Sequence, residues 1–106
     1  MERYQIPDPL VEMTLEQIGG YLSAWRKLQQ LTMAQLAKRA GVSTPVVARL
    51  EKGQEGVGIG ALMRVLSVLE LTDNLTRALD PYQDRYGREL AHRTTVQRVR
   101  KRSGQL

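Results

Sequence analysis

Twenty-two residues, Thr32 to Gly53, constrain this chain more than any others. Thr32-Met33-Ala34-Gln35 has the hydroxyl and the amide of a reciprocal helix cap, three residues apart. A helix is therefore predicted from Met33 to about Ala40, with Leu36 and Ala37 facing inward. Gly41 follows, the residue type best suited to the left-handed turn after a helix. Ser43 is a good cap for a second helix, and Pro45 falls in its first turn, where a missing amide does little harm. This second helix is predicted over Thr44 to Lys52 and is closed by Gly53. Val42, Val47 and Leu50 can pack it onto the first, and Ala37 is small where the two must cross. Two short helices joined by a Gly-Val-Ser turn meet the physical specification of a helix-turn-helix.

The surrounding chain reads as further helices. Residues 1–13 are expected to be irregular, because Pro7 and Pro9 disfavour helix at the residues before them. Thr14-Leu15-Glu16-Gln17 repeats the cap pattern, and Leu15, Ile18, Leu22, Trp25 and Leu28 recur at helical spacing. Helix is predicted from Thr14 to Gln30, with Trp25 as a core anchor and close packing at Gly19-Gly20. Four glycines between Gly53 and Gly60 mark a loop; its end leads into a fourth helix, whose first amides are candidates for a phosphate contact. Ile59, Leu62, Val65, Leu66 and Leu69 form that helix's apolar stripe. Leu75 and Leu79 extend a short fifth helix, which Pro81 stops. Beyond it a small helix around Leu90 and Ala91 and a strand-like stretch from Thr94 to Val99 are expected, followed by a basic tail. The fold class is all-α: a five-helix domain over 14–80 with a basic extension over 81–106.

Charge is segregated along the chain. Residues 26–53 carry six bases against Glu51 alone, and 85–106 carry seven against Glu89, while the other two stretches are acidic. Segregation of this kind points to a polyanion-facing surface. Cysteine is absent, so disulfides and thiolate metal sites are excluded. His92 has no partner at ligand spacing, nothing marks Asp80 and Asp84 as a catalytic pair, and no phosphate loop follows a strand. Neither metal, cofactor nor catalysis is expected. No apolar run approaches the roughly 20 residues of a membrane span, and the first ten residues lack the order of a signal peptide, so a cytoplasmic protein is expected.

From Leu31 to Gly53, LTMAQLAKRAGVSTPVVARLEKG resembles the Cro/phage-repressor (Xre-like) helix-turn-helix family. The resemblance extends over about residues 14–70 and implies a lambda-repressor-like DNA-binding domain. It implies that Arg26 pairs with Glu51 to hold the scaffold. It also implies base contacts from Thr44, Pro45, Ala48 and Arg49, and phosphate contacts from Met33, Lys38, Ser43 and Lys52. Spacing agrees independently, since 45, 48, 49 and 52 share one helical face. Met33 and Pro45 depart from the polar residues usual at their positions. The family binds double-stranded palindromic DNA as a dimer. Leu75, Leu79, Tyr82 and Tyr86 are candidates for the dimer surface, or else they finish the monomer core. Size, helix order and basic tail are similar to HipB-type antitoxins, which implies self-repression and a HipA-like kinase toxin as partner. Arg98, Arg100, Lys101 and Arg102 of the tail can be solvated charge, a second phosphate-binding arm or a segment ordered by a partner.

Overall fold

The computed structural model describes residues 8–104, with side chains through residue 98. It holds six α-helices and, among the described residues, no strand. The helices are α1 (Pro9–Leu28), α2 (Met33–Ala40), α3 (Thr44–Lys52), α4 (Ile59–Val68), α5 (Thr72–Leu79) and α6 (Arg85–Gly104), with a 3₁₀ turn at Pro81–Gln83. The chain divides into two compact units, Met1–Leu71 and Thr72–Leu106.

In the first unit, α1 starts five residues before the expected Thr14. Asp8 is the cap, its carboxylate accepting from the amides of Leu10 and Val11. Pro9 occupies the first helical position, where its fixed φ is already helical. Of the irregular stretch expected over 1–13, residues 9–13 are helix, and residues 1–7 lie outside those described. Thr14 lies inside the helix, and its hydroxyl donates to the Leu10 carbonyl at 2.7 Å. The helix ends at Leu28, short of Gln30, because Gln30 turns to a positive φ of 59° and Leu31 N–H closes onto the Arg26 carbonyl.

The bounds of α2 and α3 match the sequence expectation, because local chemistry sets them. Thr32 and Gln35 make both bonds of the capping box. Gly41 and Gly53 close the two helices in the left-handed region, at φ 71° and 72°. The core gathers Leu22 of α1, Leu36, Ala37 and Ala40 of α2, Val47 of α3, and Val65 and Leu66 of α4. Leu36, Val47, Val65 and Leu69 are its most enclosed large side chains. The third helix is central and packs on α1, α2 and α4.

Trp25 is not a core anchor. It is 42% exposed, because Leu22 and Arg26 take the inward line of α1. Ile18 and Leu28 of the expected stripe are exposed as well, and Leu15 is half-buried. Gln29 instead ties the end of α1 to the end of α4, its amide donating to the Leu69 carbonyl at 2.9 Å.

In the second unit, α6 replaces the small helix and strand-like stretch expected after Pro81. Asp84 starts it, its carboxylate accepting from Gly87 N–H at 3.0 Å. Thr94 and Thr95 turn their hydroxyls back to the carbonyls of Leu90 and Ala91, both at 3.0 Å, so branched residues sit in a helix with their polar atoms satisfied. Gly87 lets α6 lie directly on the backbone of Pro81. Among the described residues no helix is long and apolar enough to cross a membrane.

Candidate nucleic-acid interface

The orientation of α3 is fixed from behind by three features. The first is an ion pair. Arg26 donates from Nε to Glu51 Oε2 at 2.7 Å and from Nη2 to Oε1 at 3.0 Å, and its Nη1 donates to the Leu31 carbonyl at 2.8 Å. Both side chains are nearly enclosed, at 10% and 6% exposure. This fork is bidentate, so it fixes direction as well as distance. Arg26 is held above the usual arginine value, first by the hydrogen bond to Glu51, then against burial, with the charge of Glu51 adding to the rise. The second feature is Gly19, where a Cβ would lie 2.5 Å from the Glu51 carbonyl oxygen. The third is Gly53, where a Cβ would meet the Leu15–Glu16 backbone at 2.5 Å. The end of α3 is thus seated directly on the backbone of α1.

The turn sets its front. Val42 N–H bonds the Ala37 carbonyl at 3.0 Å, and Ser43 Oγ accepts from Val46 N–H at 3.3 Å. Val47 then faces inward at 1% exposure. Thr44, Pro45, Arg49 and Lys52 are exposed on the outer face, with Ala48 half-buried between them. Ser43 and Lys38 flank that face and are exposed; Met33 is half-buried at the start of α2. The ion pairs among the described residues are Arg26–Glu51 and Arg85–Glu89, so Lys38, Arg49 and Lys52 carry no carboxylate partner there. The outer face of α3 is short, exposed and positive. A helix of this kind, braced by a second helix across a tight turn, is the geometry that enters a DNA major groove.

The family described as a helix-turn-helix domain matches residues 17–79. The chain belongs to that family. Comparison with curated proteins finds no match. The matched segment of this helix-turn-helix protein runs from within α1 to the last residue of α5, so α6 lies outside it.

One basic residue escaped the sequence reading. A Cβ on Gly41 would lie 3.5 Å from Nη1 of Arg64, so the α4 guanidinium stands beside the turn of the helix-turn-helix protein. Nothing local marks Arg64 for that place, which depends on how α4 packs on α2. At the start of α4 itself, Gly58 is the cap and no side chain bonds the first amides.

In the second unit Leu79, Tyr82 and Tyr86 are exposed at 65% or more, and Leu75 is half-buried. Asp80 and Asp84 both serve as caps, Asp80 accepting from Tyr82 N–H at 2.9 Å. No cluster of three or more metal-ligating side chains occurs among the described residues. Arg98 is exposed on α6. The side chains of Arg100, Lys101 and Arg102 lie outside those described.

Proposed function

We propose that this helix-turn-helix protein is a sequence-specific transcriptional repressor that acts as a dimer on a palindromic operator. The observation that carries the reading is the exposed outer face of α3, with Arg49 at its centre and free of any carboxylate partner among the described residues. Arg49 has the fork to donate to both acceptors of a guanine edge. Ala48 and the Thr44 methyl offer apolar contact to thymine methyls, and Pro45 adds shape without a donor. Ser43, Lys52 and Lys38, exposed beside that face, are assigned to the phosphates flanking the groove, and Arg64 adds charge at the turn. Met33 contributes no polar group at its position. With one strong donor on the face, DNA shape and dimer spacing carry much of the specificity.

Arg49→Ala is expected to weaken operator binding by about 1–3 kcal/mol and to relax preference at one base pair. Competition binding against single-base operator variants checks this; an unchanged affinity removes the base contact.

The exposed Leu79, Tyr82 and Tyr86 support a second role, as an antitoxin whose second unit docks a HipA-like kinase toxin. Co-purification with the product of a neighbouring gene tests that role, and a protein that represses without any such partner refutes it. The basic end of α6 serves in the repressor role as a phosphate-binding arm. Deleting residues 97–106 removes four bases and is then expected to lower the salt slope of DNA binding by up to about 3.6 per chain. A slope identical to the full chain's returns those charges to solvent or to a protein partner.

A further inference from the structure

The largest anomaly in the first unit is the outer side of α1. Seven of the twelve exposed large apolar side chains among the described residues lie on this one helix. Leu10, Met13, Tyr21 and Leu28 are exposed by 59–76%, with Ile18 and Trp25 beside them at 44% and 42%. At those exposures the patch amounts to roughly 700 Å², above the ~300–600 Å² of the largest patch on a typical monomer and close to the ~800 Å² each partner gives to a standard interface.

We infer that α1 pairs antiparallel with α1 of a second copy, and that this contact makes the dimer required by the operator reading, on which the inference rests. Four features of the helix select this occupant. The seam Leu10, Thr14, Gln17, Tyr21, Ala24, Leu28 has the alternating four- and three-residue spacing of a coiled-coil face. It is self-complementary about residue 19. In an antiparallel pair Leu10 meets Leu28 of the other copy, Thr14 meets Ala24, and Gln17 meets Tyr21, as a two-fold contact requires. The polar side chains on the seam, Thr14, Gln17 and Tyr21, are partly engaged within their own helix. Thr14 donates to the Leu10 carbonyl at 2.7 Å and the Gln17 amide to the Tyr21 hydroxyl at 2.8 Å, which leaves the second Gln17 N–H, the Gln17 carbonyl and the Tyr21 O–H for the Gln17–Tyr21 pairing across the seam. Finally, the helix is charged oppositely at its two ends. Asp8, Glu12 and Glu16 occupy the first half, and Lys27 lies near the end. Antiparallel pairing sets unlike ends together and also opposes the helix dipoles; parallel pairing stacks like charges.

The arrangement suits DNA. At 100° per residue, the seam and the inward line of Leu15, Gly19 and Leu22 are roughly 150° apart. A two-fold axis perpendicular to the paired helices therefore keeps both copies of α3 on one side. Successive helix contacts of about 8–10 Å separate the two α3 helices by roughly 20–30 Å, the scale of the ~34 Å between half-sites on one DNA face. Leu79, Tyr82 and Tyr86 are then left for a different protein.

The chain has no cysteine, so introduced thiols report pairing cleanly. Leu10→Cys and Leu28→Cys variants are oxidised separately and as a mixture. The mixture is expected to give a band at twice the 12.0 kDa chain mass, and each variant alone is expected to give little of it. Light scattering of the unmodified chain is expected to give the two-chain mass, and Tyr21→Glu, with its helical circular dichroism retained, the one-chain mass. Three results overturn the inference: a one-chain mass for the unmodified protein, self-crosslinking of Leu10→Cys equal to that of the mixture, or a Tyr21→Glu protein that stays dimeric. Binding to a half-site duplex separates this from the operator reading. Tyr21→Glu is expected to keep half-site binding while losing the two-fold operator by at least tenfold. A two-chain protein that binds neither DNA refutes the operator reading and leaves the pairing intact.

Discussion

Glu51→Ala lowers the stability of the first unit by about 3–5 kcal/mol, because it leaves the Arg26 charge enclosed and unpaired. Arg26 is 8% exposed as a whole residue, and two of its three donor groups point at Glu51. The third, on the Leu31 carbonyl, cannot substitute for a carboxylate. In a unit of this size each kcal/mol moves the midpoint by about 4–8 °C, so a fall of more than about 12 °C is expected in a thermal melt followed by circular dichroism. The pH behaviour follows from the sign of the arginine shift. Arg26 is raised in the folded state, so its contribution is fully present below the ordinary arginine value and is lost only as pH rises through the folded one. On the arginine side, the difference between Glu51→Ala and the parent is therefore constant across the neutral range. Below its own transition the variant is expected to keep the parent's base preference, since Glu51 lies behind α3. A melt within two or three degrees of the parent would mean that the pair fixes direction and contributes little to stability.

Gly53→Ala is the second large effect. The residue has φ 72°, which costs an L side chain about 1–2 kcal/mol. Its new Cβ would also overlap the Leu15–Glu16 backbone, which no rotamer can relieve, so the total is expected to reach about 3 kcal/mol or more. Gly41→Ala is the control. Its φ is 71°, but the nearest atom to the new Cβ is the flexible end of Arg64 at 3.5 Å, so only the backbone strain is expected there. The difference between the two melting points isolates the contact between α3 and α1. Gly19 and Gly20 divide the same way. A Cβ at Gly19 strikes the Glu51 carbonyl, whereas at Gly20 it meets nothing within 4 Å. Gly20→Ala is accordingly expected to gain up to about 1 kcal/mol of helix propensity, and Gly19→Ala to lose stability. Equal losses at Gly41 and Gly53 would show that α1 yields at the contact.

The helix-turn-helix was legible because its boundaries are local. Thr32 with Gln35, Gly41, Ser43 and Gly53 each act through bonds or dihedrals within a few residues. The start of α1 was less legible, since Asp8-Pro9 and Thr14-Gln17 are both good helix openings and only one is used. Trp25 shows the limit of periodicity. The first helix carries two apolar stripes, and spacing alone does not say which faces the core. The pair of Arg26 with Glu51, which the resemblance implies, marks the inward one. Threonines 94 and 95 made α6 look strand-like, because composition does not register a hydroxyl bonded four residues back. Arg64 beside Gly41 is a purely tertiary result. Of the candidate site, the exposed and buried sides of α3 followed from a 3.6-residue repeat, whereas base-by-base roles depend on a groove edge that no spacing within the chain encodes.

The central claim is that α3 reads sequence. It is tested most directly by binding of the full chain to the DNA upstream of its own gene and to a scrambled duplex of equal length, across a salt series. A preference of at least about 10³-fold for one upstream segment is expected, persisting as salt weakens both, and falling by about 5- to 150-fold in Arg49→Ala. Equal affinity for the two duplexes at every salt concentration, or a preference untouched by Arg49→Ala, would contradict it.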